Sequence, residues 1–275
     1  MLLAVVSGGP TPEEPSPARP STVVAIDPGH GGTNLGAPGL APGLFEKTVT
    51  LALARRIREL LTTNSAGGSD SAPAALSVVL CRDADTLVPI RARARCAAES
   101  GARLFLSLHA NAVPSGVAPG SRRGFEVFVL GPGEVDDDAA VASLGAADPA
   151  NAAWAAHEVR AAAEQSVALA RAVAEHLAPV VEPSTRNAVR QSGAALDVLR
   201  GARAPAVLVE VGFMDHSEEG ARLATPAGRE PVARALADAV RDFLGGEDAV
   251  RTATARTDSR EMKRRPTDQP RTARR

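Results

Sequence analysis

Four residues of this chain have the types and surroundings for hydrolytic chemistry: His30, Glu46, His109 and Glu210. Together they offer two imidazoles and two carboxylates. A catalytic zinc site takes three nitrogen or oxygen ligands and keeps a fourth position for water, with a further carboxylate nearby as general base. The four groups fill those places with nothing left over. They come from distant segments and not from one compact helical motif, so spacing does not distribute the roles, and the local sequence around each must carry the argument. His30 lies in Asp27-Pro28-Gly29-His30-Gly31-Gly32. Read alone, that loop holds a turn histidine or cradles phosphate with its backbone amides. Glu46 alone is a first-turn acid favoured by the helix dipole, a role compatible with ligation. Glu210 is harder to explain that way, because an acid inside Ala206-Val207-Leu208-Val209-Glu210-Val211 costs several kcal/mol unless paired, ligated or functional.

The elements that must position these groups follow from periodicity. Thr22 to Ile26 is a short β-branched run that predicts a buried strand delivering the His30 loop. Glu46 to Leu61 spaces Val49, Leu51, Leu53, Ile57, Leu60 and Leu61 as a helix with Glu46 in its first turn. Leu76 to Leu80 predicts a second strand and Val88 to Glu99 a helix. Arg103 to His109 predicts a central strand with histidine at its carboxyl end. Phe125 to Leu130 reads as a strand, and Val135 to His176 as two helices interrupted at Asp148-Pro149. Leu196 to Leu199 reads as a short strand, Ala206 to Val211 as a buried one, and Thr225 to Leu244 as a helix. Strands alternating with helices give the α/β class: a single domain over 22–244 with a twisted, mostly parallel central sheet flanked by helices. His30, His109 and Glu210 then fall at or beyond strand carboxyl ends, where such sheets bind ligands.

Composition narrows the classes. With 44% hydrophobic and 23% charged residues and a formal net charge of −1, the chain can bury a core but lacks the cationic excess that grips nucleic acid. No apolar run approaches the roughly 18 to 20 residues of a membrane span. Residues 1–21 read as a disordered leader or the remnant of a signal peptide. Residues 245–275, with nine basic against five acidic residues and little apolar content, read as a disordered basic tail, solvated or drawn to anionic polymer. Cys81 and Cys96 are too few for a disulfide scaffold. One ends a strand and the other lies in a helix, so two separate buried thiols are expected, pairing after export being the alternative. Arg82 and Arg93 read as structural partners for acids such as Asp85. Asn111 orients substrate or completes the turn after its strand. His157 and His176 read as solvated helix residues and His216 as a helix start, none of them a ligand.

The chain resembles the zinc-dependent N-acetylmuramoyl-L-alanine amidases of bacterial cell walls, the family that includes the cell-separation amidases. The resemblance covers nearly all of 22–244. It rests on Val24-Ala25-Ile26-Asp27-Pro28-Gly29-His30-Gly31-Gly32, on Phe45-Glu46-Lys47, and on Cys81-Arg82-Asp83-Ala84-Asp85 leading to Ile90 and Arg93. It continues through Leu104 to Asn111, Val198-Leu199-Arg200, and Pro205 to Phe213. It implies that His30, Glu46 and His109 hold one Zn²⁺ and that Glu210 is the catalytic carboxylate. The expected reaction is hydrolysis of the amide between N-acetylmuramic acid and L-alanine of peptidoglycan, in a monomer located in the periplasm or at the cell wall. The rivals are a catalytically silent peptidoglycan-binding or regulatory module, which would be expected to have lost a site residue, and a related zinc peptidase. Residues 135–164 resemble the insertion that in some cell-separation amidases covers the zinc until an activator protein withdraws it. The acids Glu134, Asp136, Asp137, Asp138, Glu158 and Glu164 motivate that expectation. Departures are an extended loop over 62–73 and no visible wall-binding domain.

Overall fold

The computed structural model describes residues 22–63, 76–130, 149–185, 188–191, 197–200 and 202–262. In chain order these form β1 (Thr22–Pro28), α1 (Glu46–Thr63), β2 (Leu76–Leu80), α2 (Ile90–Glu99), β3 (Leu104–Asn111) and β4 (Glu126–Val129). Then come α3 (Pro149–Leu177), β5 (Val189–Gln191), α4 (Asp197–Arg200), β6 (Ala206–Phe213), α5 (Ser217–Ala224) and α6 (Pro226–Met262). The six strands make one sheet in the order β2-β1-β3-β6-β4-β5. Every pairing is parallel except β4 with β6, so the sheet is the expected mostly parallel one.

Strand alternation sorts side chains to two unequal cores. Val24, Ile26, Leu104, Leu106, Leu108, Val207 and Val209 face the larger one, filled by α1, α3 and α6 through residues such as Leu53, Ile57, Leu169, Val173, Leu236 and Val240. Ala25, Phe105, Leu208 and Phe128 face the smaller one, closed by Ala97 of α2 and by Val198 and Leu199 of α4. The parity that turns Ala25, Phe105, Leu208 and Phe128 to the thin side also turns Asp27, His109, Glu210 and Glu126 there. Polar groups thus gather where β1, β3 and β6 run out and antiparallel β4 begins, on the less covered face.

Several boundaries differ from the sequence reading. The strand expected at Leu196–Leu199 is the one-turn helix α4, too short for a period to register, and Leu196 itself lies outside the described residues. The edge strand β5 went unread because three residues show no alternation. Helix α2 begins at Ile90, after Pro89 in extended backbone. Over 149–177 there is a single helix, and residues 131–148, which include the first part of the expected insertion, lie outside the described ones. Thr225 starts α6 by accepting the Gly228 amide at 3.1 Å, with Pro226 in the first turn, where its missing N–H costs nothing. The helix runs on to Met262, beyond the Leu244 boundary read from apolar spacing. The leader 1–21 and residues 263–275 lie outside the described residues.

Cys81 and Cys96 form a disulfide, with Cα atoms 5.6 Å apart, which corrects the expectation of separate thiols. The parallel register of β2 on β1 brings the end of β2 against α2, and a strand end and a helix can bridge whenever their Cα atoms come this close.

Candidate metal and hydrolytic site

His30 follows β1 in left-handed backbone, φ 61°, between Gly29 and Gly31. The local glycines are steric necessities. A Cβ on Gly29 would run into the His109 ring, and one on Gly36, itself at φ 70°, would lie 2.6 Å from Glu46 Oε2 and 2.8 Å from His30 Cδ2. His30 Nδ1 meets the Asn34 side-chain oxygen Oδ1 at 2.8 Å. Because that partner only accepts, Nδ1 bears a proton, and in the neutral ring the Nε2 lone pair is then the one turned to the site. His30 Nε2 lies 3.0 Å from Glu46 Oε2, and His109 Nδ1 lies 2.9 Å from Glu46 Oε1. The same carboxylate accepts the Ala37 amide at 2.9 Å and the Ala110 amide at 3.0 Å, so α1 is docked by its first residue to both the His30 loop and the end of β3.

The ligand-type atoms of His30, Glu46 and His109 all lie within 4.8 Å of one another. Burial alone would push the Glu46 carboxyl up, but hydrogen bonds to the His109 and His30 rings, and the positive charge those rings carry when protonated, drive it far below the ordinary carboxylate range. Burial likewise disfavours a charged His109, yet its hydrogen bond to Glu46 and the charges of Glu210 and Glu46 hold its pKa above the ordinary value. Glu210 faces His109 in the β3–β6 register. Its Oε2 is buried and has no hydrogen-bond partner. Burial raises its pKa to about 7, against the attraction of His109 and with the help of the Glu46 and Glu126 carboxylates. All four candidates therefore meet, three around one point and the fourth on the adjacent strand.

The loop carrying His30 is pinned by groups that sequence reasoning placed only loosely. Asp27 is fully buried and takes Arg93 Nη1 at 2.7 Å and Ser107 Oγ at 2.9 Å. Arg93 also donates to the Pro28 and His30 carbonyls, at 2.7 and 2.5 Å. Arg82 donates to the carbonyls of Gly29, Lys47 and Ala84 at 3.1, 3.0 and 2.9 Å. The acid Asp85, expected to pair with one of these arginines, instead takes Lys47 Nζ at 2.8 Å and the Gly32 amide at 2.7 Å. An acid ending a buried strand was the sequence signal for Asp27, and a lysine directly after Glu46 was the signal for Lys47. Asn111 completes the turn, its Oδ1 accepting the Ala112 amide at 2.9 Å while Nδ2 donates to Glu126 at 3.2 Å. His157 is exposed, His176 sits 3.3 Å from Asp242, and His216 caps α5 by accepting the Glu219 amide.

A family model described as N-acetylmuramoyl-L-alanine amidase matches residues 24–242. The chain belongs to the N-acetylmuramoyl-L-alanine amidase family. The amidase is 30% identical over 248 residues to N-acetylmuramoyl-L-alanine amidase AmiA of Escherichia coli K12, an alignment spanning 81% of this chain and 76% of that one. It is 28% identical over 250 residues to AmiC of Escherichia coli O6:H1, covering 86% of this chain and 56% of the relative. Among solved structures it is similar to AmiC2 of Nostoc punctiforme, with TM-score 0.60, 28% identity, and coverage of 82% of this chain and 97% of that one. The catalytic domain of CwlV from Paenibacillus polymyxa matches at TM-score 0.60 and 26% identity, over 82% of this chain and 98% of that domain.

Proposed function

We propose that the amidase is a zinc-dependent hydrolase that cuts the amide between the lactyl group of N-acetylmuramic acid and L-alanine, outside the cytoplasm, in wall remodelling or daughter-cell separation. The observation that carries this reading is the convergence of His30, Glu46 and His109 within 4.8 Å, beside a buried Glu210 oxygen that no hydrogen bond satisfies. Two imidazoles and a carboxylate are a donor set suited to zinc with one coordination position left open. A bound Zn²⁺ would polarise the substrate carbonyl and acidify a water molecule. Asn34 holds the His30 tautomer, and Glu46 stays ionised between the two rings. Glu210 takes a proton from the attacking water as its oxygen bonds the carbonyl carbon. It returns that proton to the alanine nitrogen as the C–N bond breaks. A carboxyl with pKa near 7 can serve in both directions at neutral pH.

Export is supported by the Cys81–Cys96 disulfide, which persists in oxidising compartments. No helix among the described residues is long and apolar enough to cross a membrane. The reading extends to a partner protein that relieves inhibition by the segment within 135–164. One neighbour in fold, the CwlD amidase of Clostridioides difficile, was solved in complex with the GerS lipoprotein, at 20% identity.

The test is mass spectrometry of purified peptidoglycan after incubation with the amidase, with and without chelator, beside Glu210→Ala. Release of stem peptides with a free L-alanine amine, lost in both controls, is the expected result. Cuts inside the peptide would assign a zinc peptidase instead. Bound zinc without any release, persisting after deletion of 135–164, would assign a silent binder.

A further inference from the structure

Beyond Glu210 the sheet continues into a charged pair that the hydrolytic steps leave unused. Across β6 and β4, Glu210 stands opposite Glu126, and across β4 and β5, Phe128 stands opposite Arg190. Glu126 and Phe128 share a face, so His109, Glu210 and Glu126 form a row, with Arg190 one pair further along. The Glu126 side chain is only 8% exposed. Its Oε1 accepts Arg190 Nη1 at 2.7 Å and its Oε2 accepts Asn111 Nδ2 at 3.2 Å. With both oxygens committed, Glu126 fixes its neighbours and is not itself a ligand group. Arg190 is the opposite case. Its guanidinium carbon lies 5.6 Å from the Phe128 ring centroid, and 53% of its side chain is exposed. A guanidinium oriented by a buried acid and an aromatic face still presents a planar edge of N–H donors, the geometry that binds carboxylates.

We infer that Arg190 is a specificity-determining residue that binds a free carboxylate of the substrate's stem peptide, with Glu126 as its positioning residue. The inference rests on the amidase reading above. The glycan part of such a substrate is uncharged once its lactyl carboxyl is tied up as the amide, whereas the peptide carries the free carboxylates. A fixed cation on the strand beyond the general base therefore reads the peptide and not the sugar. The Asn111 amide links this pair to the end of β3, two residues from His109, so the recognition element and the hydrolytic centre are joined at one end of the sheet.

The experiment compares kcat/KM of the zinc-loaded amidase on two soluble disaccharide-peptides that differ only in whether the stem carboxylates are free or amidated. The native protein should prefer the free acids by about tenfold, the scale of one charge-assisted hydrogen-bonded contact. Arg190→Gln should bring the ratio close to one, Arg190→Lys should leave an intermediate ratio, and Glu126→Gln should lower it. A ratio of rates within one preparation is independent of the fraction correctly folded, so a merely structural role does not move it. An undiminished preference in Arg190→Gln, or no preference in the native protein, overturns the inference while leaving the amidase reading intact. Failure of the native protein to cut either substrate overturns the amidase reading and the inference together.

Discussion

On the β1–β2 flank the loop bearing His30 is tied down by Arg82, Arg93, Lys47 and Asp85, by the buried Asp27, and by a disulfide that closes the Cys81–Cys96 segment carrying three of them. On the β4–β5 flank a single ion pair, Glu126 with Arg190, extends the site, and β5 is three residues long. The difference teaches how rigidity is allotted. Groups that would share one ion must hold their places to a fraction of an ångström, whereas a flank that meets a polymeric substrate needs orientation but can tolerate movement.

Breaking the centre between the flanks should have the largest effect. Glu210→Gln should lower kcat by about 10²- to 10⁴-fold while metal content and folding stay near native, and His109→Ala should instead lose bound metal by elemental analysis. If Glu210→Gln lost the metal as well, the division between ligands and general base would be wrong.

The flanks themselves come next. Arg93→Ala leaves Asp27 charged and buried, and should cost about 3 to 5 kcal/mol in urea unfolding. Cys96→Ser, or reduction, should cost about 3 kcal/mol, as for a closed loop of this size. Glu126→Gln, beside a half-exposed arginine, should cost only about 1 kcal/mol. Equal losses for Arg93→Ala and Glu126→Gln would erase the contrast.

The smallest effect is a pH dependence of surface pairing. Asp83 is held below its ordinary pKa by hydrogen bonds from Arg58 and Arg55, and Glu230 below its own chiefly by Arg56. Both folded values are depressed, so their stabilisation is complete above the unfolded pKa values of about 4 and disappears as pH falls through the folded ones. A melting temperature that declines modestly below pH 4, more weakly in high salt, is the expected record. A rise on acidification would contradict the sign.

Much of the fold was legible because long elements repeat their pattern. The apolar spacing of α1 and the continuous apolar runs of β1, β3 and β6 announce helix and buried strand locally. Elements of three and four residues, β5 and α4, contain less than one useful period and left no such mark. The site divides the same way. His30, Glu46, His109 and Glu210 stood out because each departs from its surroundings or lies within a long family-like segment, and the structure brings them together. Asn34, Glu126 and Arg190 are ordinary polar residues in ordinary contexts, distinguished only by what they touch.

By itself the sequence determined the α/β class, the family and the four chemical groups, since these reside in periodicity and in motifs read along the chain. Only the tertiary structure decided that Cys81 bridges Cys96, that Arg93 answers Asp27, that Lys47 answers Asp85, and that Glu126, opposite Glu210, holds Arg190. Local patterns fix which face a side chain takes. Distances between segments arise only when parallel strands are stacked in register and burial forces each charged group to find a partner.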